Sequence, residues 1–209
     1  MSFAELKKLV NQKWPEVSYS GEKRDDLIFS TGIEAFDSLF SNNGIPCGQL
    51  VEINGSVSSG KTSFLFKMLS SFTQKQPVAY LDFSSSFFPS AAESSGIDIS
   101  RIFIVHVDDF REGLRAAELI LRNKIVCCVV FDLVGMKGSL PLTMMHRLRQ
   151  QILKAGSILI FLTEDNPSLI PASMISLRLE VSRNDNTRLE VTVTKSRIGN
   201  VGSRVELVQ

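Results

Sequence analysis

One octapeptide constrains this chain more than any other feature. Residues 55–62 (GSVSSGKT) match the pattern G-x-x-x-x-G-K-[ST] at every fixed position. The residues before it, 49–54 (QLVEIN), read as a buried strand, and a helical pattern runs from Lys61 towards Gln74. A glycine-bounded turn between strand and helix aims successive backbone N–H groups at one point, and the helix adds the positive end of its dipole. Phosphate oxygens suit such a place. The spacing puts the Lys61 ammonium within reach of β and γ phosphates and the Thr62 hydroxyl on a magnesium ion. The expected ligands are therefore ATP and Mg²⁺. The expected binding set is Gly55, Ser58, Ser59, Gly60, Lys61, Thr62 and Ser63.

The rest of the chain alternates strands and helices around this loop. Strands are expected at 78–82 (VAYLD), 102–107 and 157–163 (SILIFLT), and a short helix at 88–95. Asp109 and Glu112 form a capping box for a helix to about Asn123, with Phe110, Leu114, Ala117 and Leu121 inward. The run 125–131 (IVCCVVF) is apolar throughout, as in a central strand covered on both faces. Asp132 ends it, where a carboxylate orients magnesium and its water shell. Ser139 is placed to cap a helix carrying Leu142, Met145, Leu148 and Ile152. Beyond it, 175–183 and 187–195 alternate in polarity around Asn184-Asp185-Asn186, a turn signal, and 203–208 supplies a last strand. The expected fold is α/β: a mostly parallel central sheet flanked by helices, with antiparallel strands at the C-terminal edge.

Residues 2–13 form an expected N-terminal helix, with a Ser2/Glu5 capping box and an apolar stripe of Phe3, Leu6, Leu9 and Val10. A polar linker follows, so the expected division is 1–26 and a core at 27–209. A net charge of +1 over 209 residues excludes a protein coated in positive charge for bulk DNA binding. No apolar run approaches the ~20 residues needed to cross a bilayer. Cys47, Cys127 and Cys128 lack metal-ligand spacing and read as buried, reduced thiols of a cytoplasmic protein. His106 and His146 stand apart and are not metal-ligand candidates.

The chain resembles the RecA family. The likeness lies in 28–32 (IFSTG), Phe36-Asp37, 44–62 (GIPCGQLVEINGSVSSGKT), 79–82 (AYLD), Pro89, 96–99 (GIDI), 129–132 (VVFD) and 195–198 (KSRI), and spans about residues 27–208. The resemblance implies a RecA-like ATP-binding core. It also implies that Lys195 and Arg197 stabilise phosphate charge on the ATP of a neighbouring subunit, the alternative being solvated cations on an edge strand, and that the N-terminal helix serves self-association or binds RecA. Departures from the family matter as much. Two residues after the Asp82 position the family carries a glutamate that activates water; here Ser84 stands there, without useful basicity. Glu93 is the nearest downstream carboxylate. The segments 133–138 and 164–172, which correspond to long DNA-binding loops, are short.

Residues 96–102 (GIDISRI), Asp108, Asp109, 115–122 (RAAELILR), 147–150 (RLRQ) and Arg178-Leu179 are similar to the ImuA branch of shortened RecA relatives. That resemblance implies an accessory protein of SOS mutagenesis and translesion synthesis in the DNA-damage response, with RecA and a Y-family-polymerase-like protein as partners and weak or absent ATP hydrolysis. The alternative is a DNA-dependent ATPase forming filaments on single-stranded DNA. Arg178, Arg183 and Arg188 offer a basic stripe for DNA, but Glu180, Asp185 and Glu190 interleave with them and favour a salt-bridged face with weak DNA binding at most. Phe83, Phe87 and Phe88 are expected in the core rather than stacked on adenine.

Overall fold

The structure is a computed structural model that describes residues 27–164, 169–184 and 188–208. The expected helix at 2–13 lies outside the described residues. The elements run β1 (Ile28–Phe29), α1 (Glu34–Asp37), β2 (Ile45–Pro46), β3 (Leu50–Asn54), α2 (Lys61–Lys75), β4 (Val78–Asp82), α3 (Pro89–Ser94), β5 (Ile102–His106), α4 (Phe110–Arg122), β6 (Cys128–Asp132), α5 (Leu142–Ala155), β7 (Ile158–Thr163), β8 (Leu177–Arg183), β9 (Arg188–Ser196) and β10 (Arg204–Val208). β1 and β2 form a small antiparallel ladder. The other eight strands make one sheet in the order β10-β9-β8-β3-β7-β6-β4-β5. From β8 to β5 every pairing is parallel, and the β8-β9-β10 edge is antiparallel. This is the α/β architecture that the alternation of patterns implied.

Two apolar layers hold the sheet. One face packs on α2 through Val51, Ile53, Ile160, Leu179 and Val181 with Phe64, Leu65 and Met68. The other packs on α4 and α5 through Leu81, Phe131 and Phe161 with Leu114, Leu121, Met145 and Leu148. Every residue of β4, β6 and β7 is buried, so these strands carry apolar residues on both faces rather than alternating. Burial also pushes the Cys127 thiol up to about 12 and raises Cys128; with Cys47 they are buried thiols outside any disulfide. No helix among the described residues is long and apolar enough to cross a membrane.

Three local expectations change. β6 begins at Cys128, because Lys124 turns the chain at φ 55° and pairing with Val78 and Ile158 starts only there. Ser139 does not cap α5. Pro141 is itself extended (ψ 136°) just before Leu142, and its ring disfavours helical backbone at Leu140, so the helix does not reach back to Ser139. Leu142, at the first turn, is 48% exposed, while Met145, Leu148 and Ile152 are buried. Phe88 is 66% exposed and is not a core residue. Its neighbours are packed, Phe87 at 4.8 Å from Tyr80 and Phe83 at 5.7 Å from Phe131, ring centroid to ring centroid. The Asp109 cap forms as expected: its Oδ1 accepts the Glu112 N–H at 2.8 Å, and Glu112 reaches back to the Asp108 N–H at 3.0 Å.

Candidate functional site

The glycine-bounded loop sits at the carboxyl end of β3, between the sheet and the first turn of α2. Its shape depends on two close approaches. A Cβ on Gly55 would stand 2.5 Å from the Val181 carbonyl oxygen of β8. Gly60 has φ +87°, and a Cβ there would stand 2.4 Å from Leu189 of β9. The antiparallel edge thus presses on the loop from beneath, and only glycine lets it lie so close. Ser58 also has positive φ, 62°, a strained state for a residue with a side chain. Lys61 is only 6% exposed. Its Nζ donates to the Ser56 carbonyl at 2.9 Å, so the ammonium is folded over the loop. Residues 58–63 and Arg183 together line a cleft of about 320 Å³. A cradle that a Cβ would fill, a helix N-terminus and a lysine ammonium over the loop form a donor set that fits a chain of phosphates.

Asp132 stands at the end of β6, two strands from β3 across β7. Its Oδ2 accepts the Tyr80 hydroxyl at 2.7 Å and the Ser86 hydroxyl at 3.1 Å, and its Oδ1 accepts the Val134 N–H at 3.3 Å. Burial raises its pKa, opposed by the bonds from Tyr80, Val134 and Ser86. Burial first, and then Asp132, raises that of Tyr80. Oδ1 has more acceptor capacity than its single amide uses, and the Thr62 hydroxyl lines the cleft. A hydroxyl and a carboxylate with spare oxygen suit magnesium, which takes few protein ligands and keeps most of its water.

Ser84, where the RecA family has its glutamate, donates through Oγ to Ser86 Oγ at 2.8 Å. Glu93 lies exposed on α3. Asp82 is buried and accepts the N–H groups of Ser84, Ser86 and Phe87 at 3.3, 3.1 and 3.0 Å. His106 also lies beside it, with Nδ1 3.7 Å from Oδ2.

Lys195 and Arg197 are not brought to the cleft. They lie at the far end of β9, beside the start of β8. Their side chains donate to the Ala172 and Ser173 carbonyls of a short 3₁₀ turn. Burial, then the neighbouring Arg197 and Arg178 charges, lowers the pKa of Lys195. Arg178 pairs at 2.6 Å with Glu52, which is buried in β3. Arg188 and Arg204 face Glu206 and Glu190 across the strands, both at 3.6 Å, as in a salt-bridged face.

Two residues near the loop were not singled out for it from the sequence. Glu164 follows β7, and its Oε1 lies 3.9 Å from Lys61 Nζ. Arg183 ends β8 and lines the cleft. Both sit at carboxyl ends of parallel strands, where α/β sheets receive ligands; that position was the available signal.

Such a strand, loop and helix on a mostly parallel sheet make this a P-loop α/β domain. The chain belongs to the RecA N-terminal domain family, whose profile matches residues 17–141. It is 27% identical to protein RecA of Clostridium tetani, covering 85% of this chain and 63% of that protein. It is 31% identical to protein RecA of Mesomycoplasma hyopneumoniae strain J over 64% of this chain and 40% of that protein. It therefore spans less than two thirds of the length of these relatives. Among solved structures, the RadB recombinase superposes with a TM-score of 0.71 at 18% identity, covering 87% of this chain and 96% of that one, a likeness of fold.

Proposed function

We propose that this protein binds ATP with Mg²⁺ in the cleft at residues 55–63 and acts as a nucleotide-dependent adaptor in DNA repair, of the ImuA type, with slow or absent hydrolysis. The observation that carries the reading is the pairing of a complete phosphate loop with Ser84 at the glutamate position. Gly55, Ser58, Ser59, Gly60, Lys61, Thr62 and Ser63 hold the phosphates, and Thr62 and Asp132 hold the metal. Magnesium supplies charge neutralisation of the β and γ phosphates when bound. Ser84 is tied to Ser86 and has no basicity to offer an attacking water. Occupancy itself is then the signal: the ligand shifts the protein towards one state, and partners such as RecA and a Y-family-polymerase-like protein read that state.

A DNA-dependent ATPase working in a filament is the second reading. Lys195 and Arg197, held by carbonyls away from their own cleft, favour it, because from there the only nucleotide they could meet is that of a neighbouring subunit. Steady-state hydrolysis with and without single-stranded DNA separates the two. The adaptor shows turnover far below ~1 s⁻¹ in both conditions. DNA-stimulated turnover at or above that rate supports the filament enzyme. Pull-down of RecA with and without MgATP then tests the adaptor directly: equal capture in both conditions removes nucleotide control.

Glu164 competes with the triphosphate for Lys61. Glu164→Gln removes that competitor and one repulsion against the γ phosphate. The pair is partly exposed, so the expected gain in MgATP affinity is about two- to fivefold. Titration calorimetry checks it, and an unchanged or weaker affinity removes the competition.

A further inference from the structure

We infer that Arg183 binds the α-phosphate of the nucleotide, completing the phosphate site with a cation from outside the loop motif. The inference deepens the ATP-binding reading and rests on it.

The geometry comes from strand order and strand periodicity. Side chains two apart on a strand share a face. Leu179 and Val181 belong to the core layer under α2, so Arg183 continues that row past the end of the core. The row passes close beside the loop, since the Val181 carbonyl is the atom that a Cβ on Gly55 would meet. Arg183 accordingly emerges at the outer wall of the cleft and lines it together with Thr62 and Ser63.

The two ends of the nucleotide are distinguished by what flanks the loop. β3 has β7 and β6 on one side, which bring Glu164 and Asp132, and β8 on the other, which brings Arg183. Asp132 is the carboxylate for magnesium, so the metal-bound β and γ phosphates belong on the β7–β6 side. The α-phosphate is then left on the β8 side, next to Ser63 and Arg183. An arginine fork offers two parallel N–H donors to phosphate oxygens.

Titration calorimetry with ATP and ADP, each in magnesium and in EDTA, on wild type, Arg183→Ala and Arg183→Lys tests the assignment. Both nucleotides carry the α-phosphate. Arg183→Ala is therefore expected to weaken each about tenfold, by the same factor with and without the metal. Arg183→Lys restores most of the loss, since it keeps the charge. Arg183 is exposed, so the variants should melt with wild type. Affinity within twofold of wild type in Arg183→Ala overturns the assignment. So does a loss confined to ATP, which would put Arg183 at the γ phosphate. If wild type binds neither nucleotide, the phosphate-loop reading itself has failed and Arg183 loses its ligand with it.

Discussion

Lys61→Ala is expected to lower MgATP affinity about 100-fold. The lysine is at the base of α2, 6% exposed, with its ammonium held over the loop by the Ser56 carbonyl at 2.9 Å. Among the described residues no other lysine lines the cleft. Hydrogen bonds to charged groups contribute about 1.5–3 kcal/mol each. An ammonium shared between two phosphates therefore stands to lose about 3 kcal/mol on truncation, or roughly two decades in dissociation constant. Stability changes little by comparison. The ammonium makes a single bond to the loop and a 3.9 Å ion pair with partly exposed Glu164, and such a pair contributes about 1 kcal/mol or less. Calorimetry beside thermal melting separates the two effects. A loss below fivefold with an intact fold would mean that the loop, despite its form, does not grip a triphosphate.

Much of the fold was legible because its strongest signals are local. β4, β6 and β7 read as apolar runs, and the tail strands as alternation around a turn. The phosphate loop was legible because its shape needs particular residues at fixed spacing. The α5 boundary was missed where a good capping residue, Ser139, was weighed without Pro141, whose ring restricts the residue before it. Phe88 was missed because a run of aromatics says nothing about which one the turn after β4 exposes. The rest of the site depends on strand order. Tyr80 and Asp132 are 52 residues apart, and Glu52 and Arg178 are 126 apart. Glu164 meets Lys61 only because β7 lies beside β3, and Arg183 joins the cleft only because β8 lies on the other side. Periodicity along one segment holds no record of which segment becomes its neighbour.

Asp82→Ala is expected to lower the melting temperature by about 10 °C and to weaken MgATP binding as well. Asp82 is 1% exposed, and its two oxygens gather three N–H groups of the turn that follows β4. Alanine leaves those donors without their acceptor in a part-buried turn, at about 1 kcal/mol or more each. About 3 kcal/mol in a chain of this size corresponds to roughly 6–12 °C. The consequence for binding passes through Ser86. The turn that Asp82 shapes also carries the hydroxyl that donates to Asp132 Oδ2, so a loosened turn costs Asp132, the proposed magnesium ligand, one of its two hydroxyl partners. Ser86→Ala removes that second bond together with the exposed one from Ser84, and should leave the melting temperature within about 3 °C, because a part-buried hydrogen bond contributes about 1 kcal/mol and an exposed one less. Asp82→Asn keeps one acceptor oxygen and should fall between the two. If Asp82→Ala melts with wild type, water replaces the carboxylate and the turn stands by itself. If it melts early yet binds MgATP as Ser86→Ala does, the turn contributes to the site only through Ser86.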